Sequence, residues 1–171
     1  MHLLQRILSS SLERKNKMLK IRILNKKEVR KIRDFLIERF DPKFDFENYV
    51  FLEGAKNRVF IIKKDRFSDA NISKLRISRV GMYFARKIDG KIRLSIEGSQ
   101  IINPRKNVIE LKENQVKLWV MGNDIELDEK MENGEFYILK YKNNILGSGK
   151  YSDGKILNFV PKERRLKYVK L

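Results

Sequence analysis

Between Lys106 and Arg165 the chain reads KNVIELKENQVKLWVMGNDIELDEKMENGEFYILKYKNNILGSGKYSDGKILNFVPKERR. Apolar residues run together or alternate over Asn107–Leu111, Glu135–Lys142, Ile145–Tyr151 and Lys155–Val160, which predicts four short strands. Lys112–Met121 reads as a helix, and Gly122 follows where a left-handed C-cap is expected, opening a Gly122-Asn123-Asp124 turn. Asn143-Asn144 and Asp153-Gly154 supply two further turns. Pro161 stops the last strand, because it has no N–H to give a ladder. Short strands, tight turns and one helix in this span describe a small β-barrel.

Upstream, Asp89-Gly90 closes a hairpin between Arg76–Lys87 and Lys91–Ile96, a strong local hairpin signal. In it Arg76, Arg79, Arg86, Lys87, Lys91 and Arg93 lie near Tyr83 and Phe84. Basic residues beside aromatics bind phosphate and stack bases, and the same rings also serve as half-buried core. Asn25 followed by Glu28 is a capping-box-like start to a helix from Lys26 to about Arg39. Its buried stripe is Val29, Ile32, Leu36 and Phe40; Lys27, Arg30 and Lys31 form the opposite face, either solvated or turned to RNA. Asp41-Pro42 ends it, since the residue before proline is pushed out of the helical region. Strands are expected at Met18–Leu24, Tyr49–Leu52 and Arg58–Lys63, the last two joined by a turn at Glu53–Asn57, and a short helical stretch at Asp65–Ile72. Residues 1–17, with Leu3, Leu4, Ile7, Leu8 and Leu12 at helical spacing, read as an appendage. The expected organisation is an extension at 1–17, an α/β domain at 18–103 and the barrel at 104–171, an α+β protein.

The 171 residues carry 39 Lys and Arg against 22 Asp and Glu, a formal charge of +17, with 42% hydrophobic residues, so this is a foldable chain and not a basic tail. The charge is uneven: 26 basic and 12 acidic groups in residues 1–105, 8 and 9 in residues 106–160, and 5 and 1 in residues 161–171. Such a surplus asks for a polyanion, and nucleic acid is the first expectation. With no cysteine, disulfides, thiolate catalysis, iron–sulfur clusters and Cys-zinc sites are excluded. The one histidine, His2, excludes a His-centred triad or a His metal cage. No apolar run approaches the roughly 20 residues of a membrane span, and the first residues are too short a hydrophobic stretch for a secretory signal. A cytoplasmic protein with no membrane partner is expected.

Several motifs fail on inspection. Gly147-Ser148-Gly149-Lys150 lacks the earlier glycine and the following Ser or Thr of a phosphate loop: Asn144 and Tyr151 stand there, and a strand follows where a helix must start. The dinucleotide fingerprint fails at Ser152. Asn71-Ile72-Ser73 is a glycosylation sequon by letter only. The acidic groups Asp41/Asp45/Glu47 and Asp124/Glu126/Asp128/Glu129 are Mg²⁺ candidates only if the fold makes them converge.

From Lys106 onward the pattern resembles a PUA domain, the RNA-binding pseudobarrel found with pseudouridine synthases and archaeosine transglycosylases. The resemblance rests on the helix running into Gly122-Asn123-Asp124 and on the strand Ile145-Leu146-Gly147-Ser148-Gly149-Lys150-Tyr151. The preceding segments Arg79–Arg86 and Arg93–Gln100 look like the pre-PUA stretch of two groups. One is the Nip-seven ribosome-biogenesis family. The other is the C-terminal RNA-binding region of the NOL/NOP/Sun RNA 5-methylcytosine methyltransferases, which also occurs as free-standing archaeal proteins. The tail Phe159–Arg165 leans toward the second.

The resemblance implies RNA against the loop after the helix (Gly122, Asn123, Asp124), the glycine strand (Leu146, Gly147, Ser148, Gly149, Lys150) and the tail (Lys162, Arg164, Arg165). Arg79, Arg86 and Lys87 are added from the basic hairpin. In that reading Gly147 and Gly149 let a ligand come close to the backbone, and the cations neutralise phosphates. Those methyltransferases use a cysteine pair, so methyl transfer by this chain alone is excluded on that chemistry. The expectation is a non-catalytic RNA-binding protein without cofactor or metal, acting in ribosome biogenesis, rRNA processing or RNA modification. rRNA is the first partner and tRNA the second, with ribosome-assembly or modification proteins beside them. The runner-up is an accessory subunit that recruits a separate RNA methyltransferase. A lower alternative is a metal-dependent RNA-processing enzyme using Asp124, Glu126 and Asp128.

Overall fold

Asn25 starts the first helix by the expected reciprocal cap: its side chain accepts from the Glu28 N–H at 3.0 Å, and its own N–H donates to Glu28 Oε2 at 2.9 Å. The structure, a computed structural model, describes residues 21–67 and 81–168. The expected helix within 1–17, the strand residues before Ile21, the sequon at Asn71 and the site residue Arg79 lie outside them.

Helix α1 (Lys26–Phe40) buries Ile32, Leu36 and Phe40, with Val29 partly covered, on the predicted stripe. It ends at Asp41, which leaves through the left-handed region (φ 44°, ψ 59°) rather than the extended one, with its N–H bonded to Ile37 O at 3.0 Å. Around it runs an antiparallel sheet in sequential order: β1 (Arg22–Ile23), β2 (Tyr49–Gly54), β3 (Arg58–Lys63), β4 (Met82–Ile88) and β5 (Lys91–Leu94). Of the described residues of the expected strand Met18–Leu24, Arg22 and Ile23 pair with β2. At the β4–β5 turn Asp89 (φ 48°) and Gly90 (φ 77°) take the two positive-φ positions that a two-residue hairpin demands. Only a single 3-10 turn, Lys64–Arg66, occupies the described part of the helical stretch expected after Asp65. Phe51, Phe84, Leu36 and Phe40 fill the core between helix and sheet.

A helix that the sequence reading had not anticipated follows. Residues Ile96–Ile102 form α2, capped by Ser95, whose Oγ accepts from the Gly98 N–H at 2.8 Å. The strand expected to reach Ile96 therefore stops at Leu94.

The second sheet has the order β6-β8-β9-β10-β7, built from β6 (Val108–Glu110), β7 (Ile125–Glu126), β8 (Phe136–Tyr141), β9 (Asn144–Ser152) and β10 (Lys155–Leu157). Strands β6 and β8 are parallel and the other pairs antiparallel. Among the described residues no ladder joins β6 to β7. Helix α3 (Glu113–Val120) packs Val116 and Trp119 onto it, and Gly122 caps the helix end at φ 90°.

The two sheets are joined through buried contacts. The Ser148 hydroxyl on β9 donates to Leu94 O at 2.7 Å, and Ile138 of β8 belongs to the core of the first sheet. At the far side Asn107 donates from its side chain to Arg39 O at 2.6 Å. Arg39 in turn lies 4.8 Å over the Tyr137 ring and 3.6–3.7 Å from Glu132 and Glu135, and Lys91 pairs with Glu135.

At the other end of α1, Arg22 clamps Glu28 with bonds of 2.7 and 2.9 Å, and that bond, helped by the Asn25 N–H, holds the Glu28 carboxyl down at about 2 from an ordinary 4.5. The contribution of this carboxylate to stability is complete above pH 4.5 and fades as the pH falls toward 2. Glu28→Gln is expected to lower the urea midpoint at neutral pH and to leave it unchanged near pH 2. An equal loss at both pH values would show that packing, not charge, is what the carboxylate supplies.

Candidate nucleic-acid interface

Two groups of the expected site residues come together, and a few residues stand apart. The first group surrounds the α3 C-terminus. Asn158 is its fastener: its backbone N–H donates to Asp124 Oδ1 at 2.8 Å, and its side-chain amide donates to Trp119 O at 2.8 Å and Asn123 O at 2.9 Å. Arg165 lies across Gly122, where an added Cβ would come 2.3 Å from its Nε, and that Nε donates to Val160 O at 3.0 Å. The Leu166 N–H then closes onto Val120 O at 2.9 Å. Thus Gly122, Asn123, Asp124 and Arg165 form one unit, with the tail folded back over the turn. The cation at the end of α3 also suits the negative end of the helix dipole. Asn158 was missed from sequence, where a single asparagine near a strand end carries no distinguishing mark.

The second group lines a groove of about 620 Å³ between the two sheets. Arg86, Leu146, Ser148 and Arg164 are all on its walls. So are Arg58 and Phe159, which the sequence reading had not singled out, and Arg93 and Tyr83 from the hairpin. Arg93 lies 4.4 Å over the Phe159 ring and Arg58 5.8 Å from the Tyr83 ring. The acidic groups in the groove are Glu97, paired with Arg164, and Glu163.

Gly147 and Gly149 have other neighbours than a ligand. Both are buried: a Cβ on Gly147 would sit 3.0 Å from Ile96 Cγ1 of α2, and one on Gly149 would sit 2.2 Å from Ile156 Cγ2 and 3.0 Å from Trp119. Their close approach is to the protein's own elements, and Ser148 between them is spent on Leu94. Lys150 points past the groove to Gly134 beside Lys91, and Lys162 is exposed on the tail. Lys87, one residue after Arg86, emerges on the opposite face of β4, paired with Glu53 at 2.5 Å.

The carboxylates considered for a metal do not converge. Asp124 is bonded to Asn158, Glu126 pairs with Lys155 at 3.4 Å, and Asp128 lies 3.9 Å from Lys112. Among the described residues no three Asp, Glu, His or Cys gather as a metal would require, and no helix is long and apolar enough to cross a membrane.

The comparisons with known proteins fall on this same architecture. The family described as "Methyltransferase RsmF PUA domain" matches residues 106–166, which run from two residues before β6 to the residue that closes on Val120. Proteins named ribosomal RNA small subunit methyltransferase F are similar over longer stretches. That of Shewanella piezotolerans is 26% identical over 80% of this chain and 28% of its own length. That of Vibrio campbellii is 32% identical over 61% of this chain and 24% of its own length. The chain therefore spans about a quarter of the length of these relatives. The similarity to the Shewanella protein, covering more of the chain than residues 106–166 provide, takes in part of the first sheet's region as well. Residues 106–166 thus match the PUA domain of this methyltransferase family, in line with the resemblance carried by the sequence.

Proposed function

We propose that this chain is a non-catalytic RNA-binding protein of the cytoplasm that acts in rRNA modification and ribosome biogenesis. The observation that carries the reading is the PUA domain at 106–166, whose cationic tail bridges the α3 turn, through Arg165, and the arginine-lined groove, through Arg164. Phosphate contacts would supply most of the affinity, with base readout limited to a few unpaired nucleotides. The scattered engagement of Asp124, Glu126 and Asp128 supports the absence of a metal-dependent activity.

The test is RNA binding as a function of salt with the whole chain, against rRNA fragments and duplex DNA. Lys162→Ala with Arg164→Ala should lower the slope of log K against log salt by about 1.4, at roughly 0.7 per single-strand phosphate contact. Arg165 is left in place because its removal would also uncover Gly122. An affinity for RNA no greater than for duplex DNA would discard the reading.

A second reading is favoured by what the relatives are named, ribosomal RNA small subunit methyltransferases. In it the chain delivers RNA to a separate modifying enzyme. Co-purification with a methyltransferase, and sequence preference present only in the pair, would distinguish it.

A further inference from the structure

We propose that Arg58, Arg86 and Arg93 form a phosphate-binding ladder for a single-stranded RNA segment whose bases stack on Tyr83 and Phe159; this rests on the RNA-binding reading and names the part of the surface that carries it. The strand register sets Arg58 of β3 directly opposite Arg86 of β4, and Arg86 directly opposite Arg93 of β5. Three guanidinium groups are thereby ranked across adjacent strands at about 4.8 Å per strand. Like charges directly opposite one another weaken a sheet, so folding gains nothing from this row. Among the described residues, none of the three has a carboxylate within 4.0 Å. Of the two acidic residues that line the groove, Glu97 and Glu163, the first is engaged by Arg164.

The row is also held ready. Arg86 donates from Nε to Lys56 O at 3.1 Å, which anchors its guanidinium where the residue lines the groove. Arg93 rests on Phe159, which is 37% exposed, and Arg58 lies beside Tyr83. An aromatic ring that carries a guanidinium and keeps part of its surface exposed, as Phe159 does, is a platform for a base. Met82, Ile96 and Leu146 complete the groove with apolar surface. That lining distinguishes the two forms of RNA. An A-form duplex keeps its base faces stacked inside and would offer this surface only phosphate and sugar, whereas unpaired nucleotides present phosphates to the ladder and base faces to the rings.

The experiment uses the full chain with a fluorescent single-stranded RNA of about ten nucleotides, within the range a single binding fold covers, and with the same sequence closed into a fully paired hairpin. The ladder variant is Arg58→Gln, Arg86→Gln and Arg93→Gln together. On the single strand the salt slope should fall by about 2 units, at roughly 0.7 per phosphate, with far less change on the hairpin. Its Tm should hold or rise, because the row of like charges is gone. Tyr83→Leu with Phe159→Leu should weaken single-strand binding by about tenfold with the slope unchanged, since stacking releases no counterions.

A ladder variant that keeps the wild-type slope, while the wild type binds RNA, overturns the ladder and leaves the RNA reading standing. A variant that melts lower and loses both probes equally shows a structural row and overturns it too. A wild-type chain with no affinity for either RNA overturns both.

Discussion

Gly98→Ala is expected to destabilise the chain by about 2–3 kcal/mol, as an overpacked core does, although the position is helical and alanine there ordinarily gains about 1 kcal/mol. The reason is the seat of α2. A Cβ at Gly98 would lie 2.0 Å from Phe84 O and 3.2 Å from Ser95 Oγ. Phe84 cannot retreat, because β4 is bonded on both sides, to β3 and β5, and its carbonyl accepts from the Ser95 N–H at 2.9 Å. The helix must move instead, which strains the Ser95 Oγ bond to Tyr83 O at 2.7 Å. On its other side Ile96 presses on Gly147, where even a Cβ would come to 3.0 Å, so there is no slack to receive the shift. Urea unfolding followed by circular dichroism gives the answer. A variant as stable as the wild type would mean that α2 is not seated on β4 at this distance.

That helix also marks what can be read from a sequence and what cannot. Helix α1 was legible because its determinants are local: a cap at Asn25, a partner at Glu28 and an apolar residue at each turn. The Asp89-Gly90 hairpin was legible for the same reason. Helix α2 was not, since it is short and contains a glycine whose purpose is a contact with Phe84 on the earlier strand β4, well outside the helix. The glycines of β9 drew the eye correctly as places of close approach, but a single chain does not say what approaches; the structure answers with Ile96, Ile156 and Trp119. The turn at Gly122-Asn123-Asp124 was recognisable, whereas its fastener, Asn158, lies more than thirty residues away. The arginine row is hidden more deeply still. It depends on the register of three strands, and that register shifts between Val59 and Phe60, so that residue spacing alone would not align Arg58 with Arg86.

Trp119→Ala should cost about 3–5 kcal/mol, the range for deleting a buried aromatic ring, and lower Tm by roughly 10 °C in a chain of this size. The ring is 1% exposed at the centre of the second core, seated on Gly149, and its Nε1 donates to Leu146 O at 3.1 Å. Truncation opens a cavity and leaves that carbonyl without its donor. The same residue offers a way to ask whether the two sheets unfold together, because it is the only tryptophan and its fluorescence reports on the second sheet alone. In the wild type the fluorescence and circular dichroism transitions should coincide, since the buried bond from Ser148 to Leu94 and the seating of α2 against β9 leave neither sheet free to melt first. The alanine variant should then unfold in one earlier step. A first sheet that instead melts at its wild-type temperature would show that the contact between the sheets is too weak to hold the groove in shape. The arginines on one wall and Arg164 on the other could not then act as a preformed site, and the cost of ordering them would fall on binding RNA.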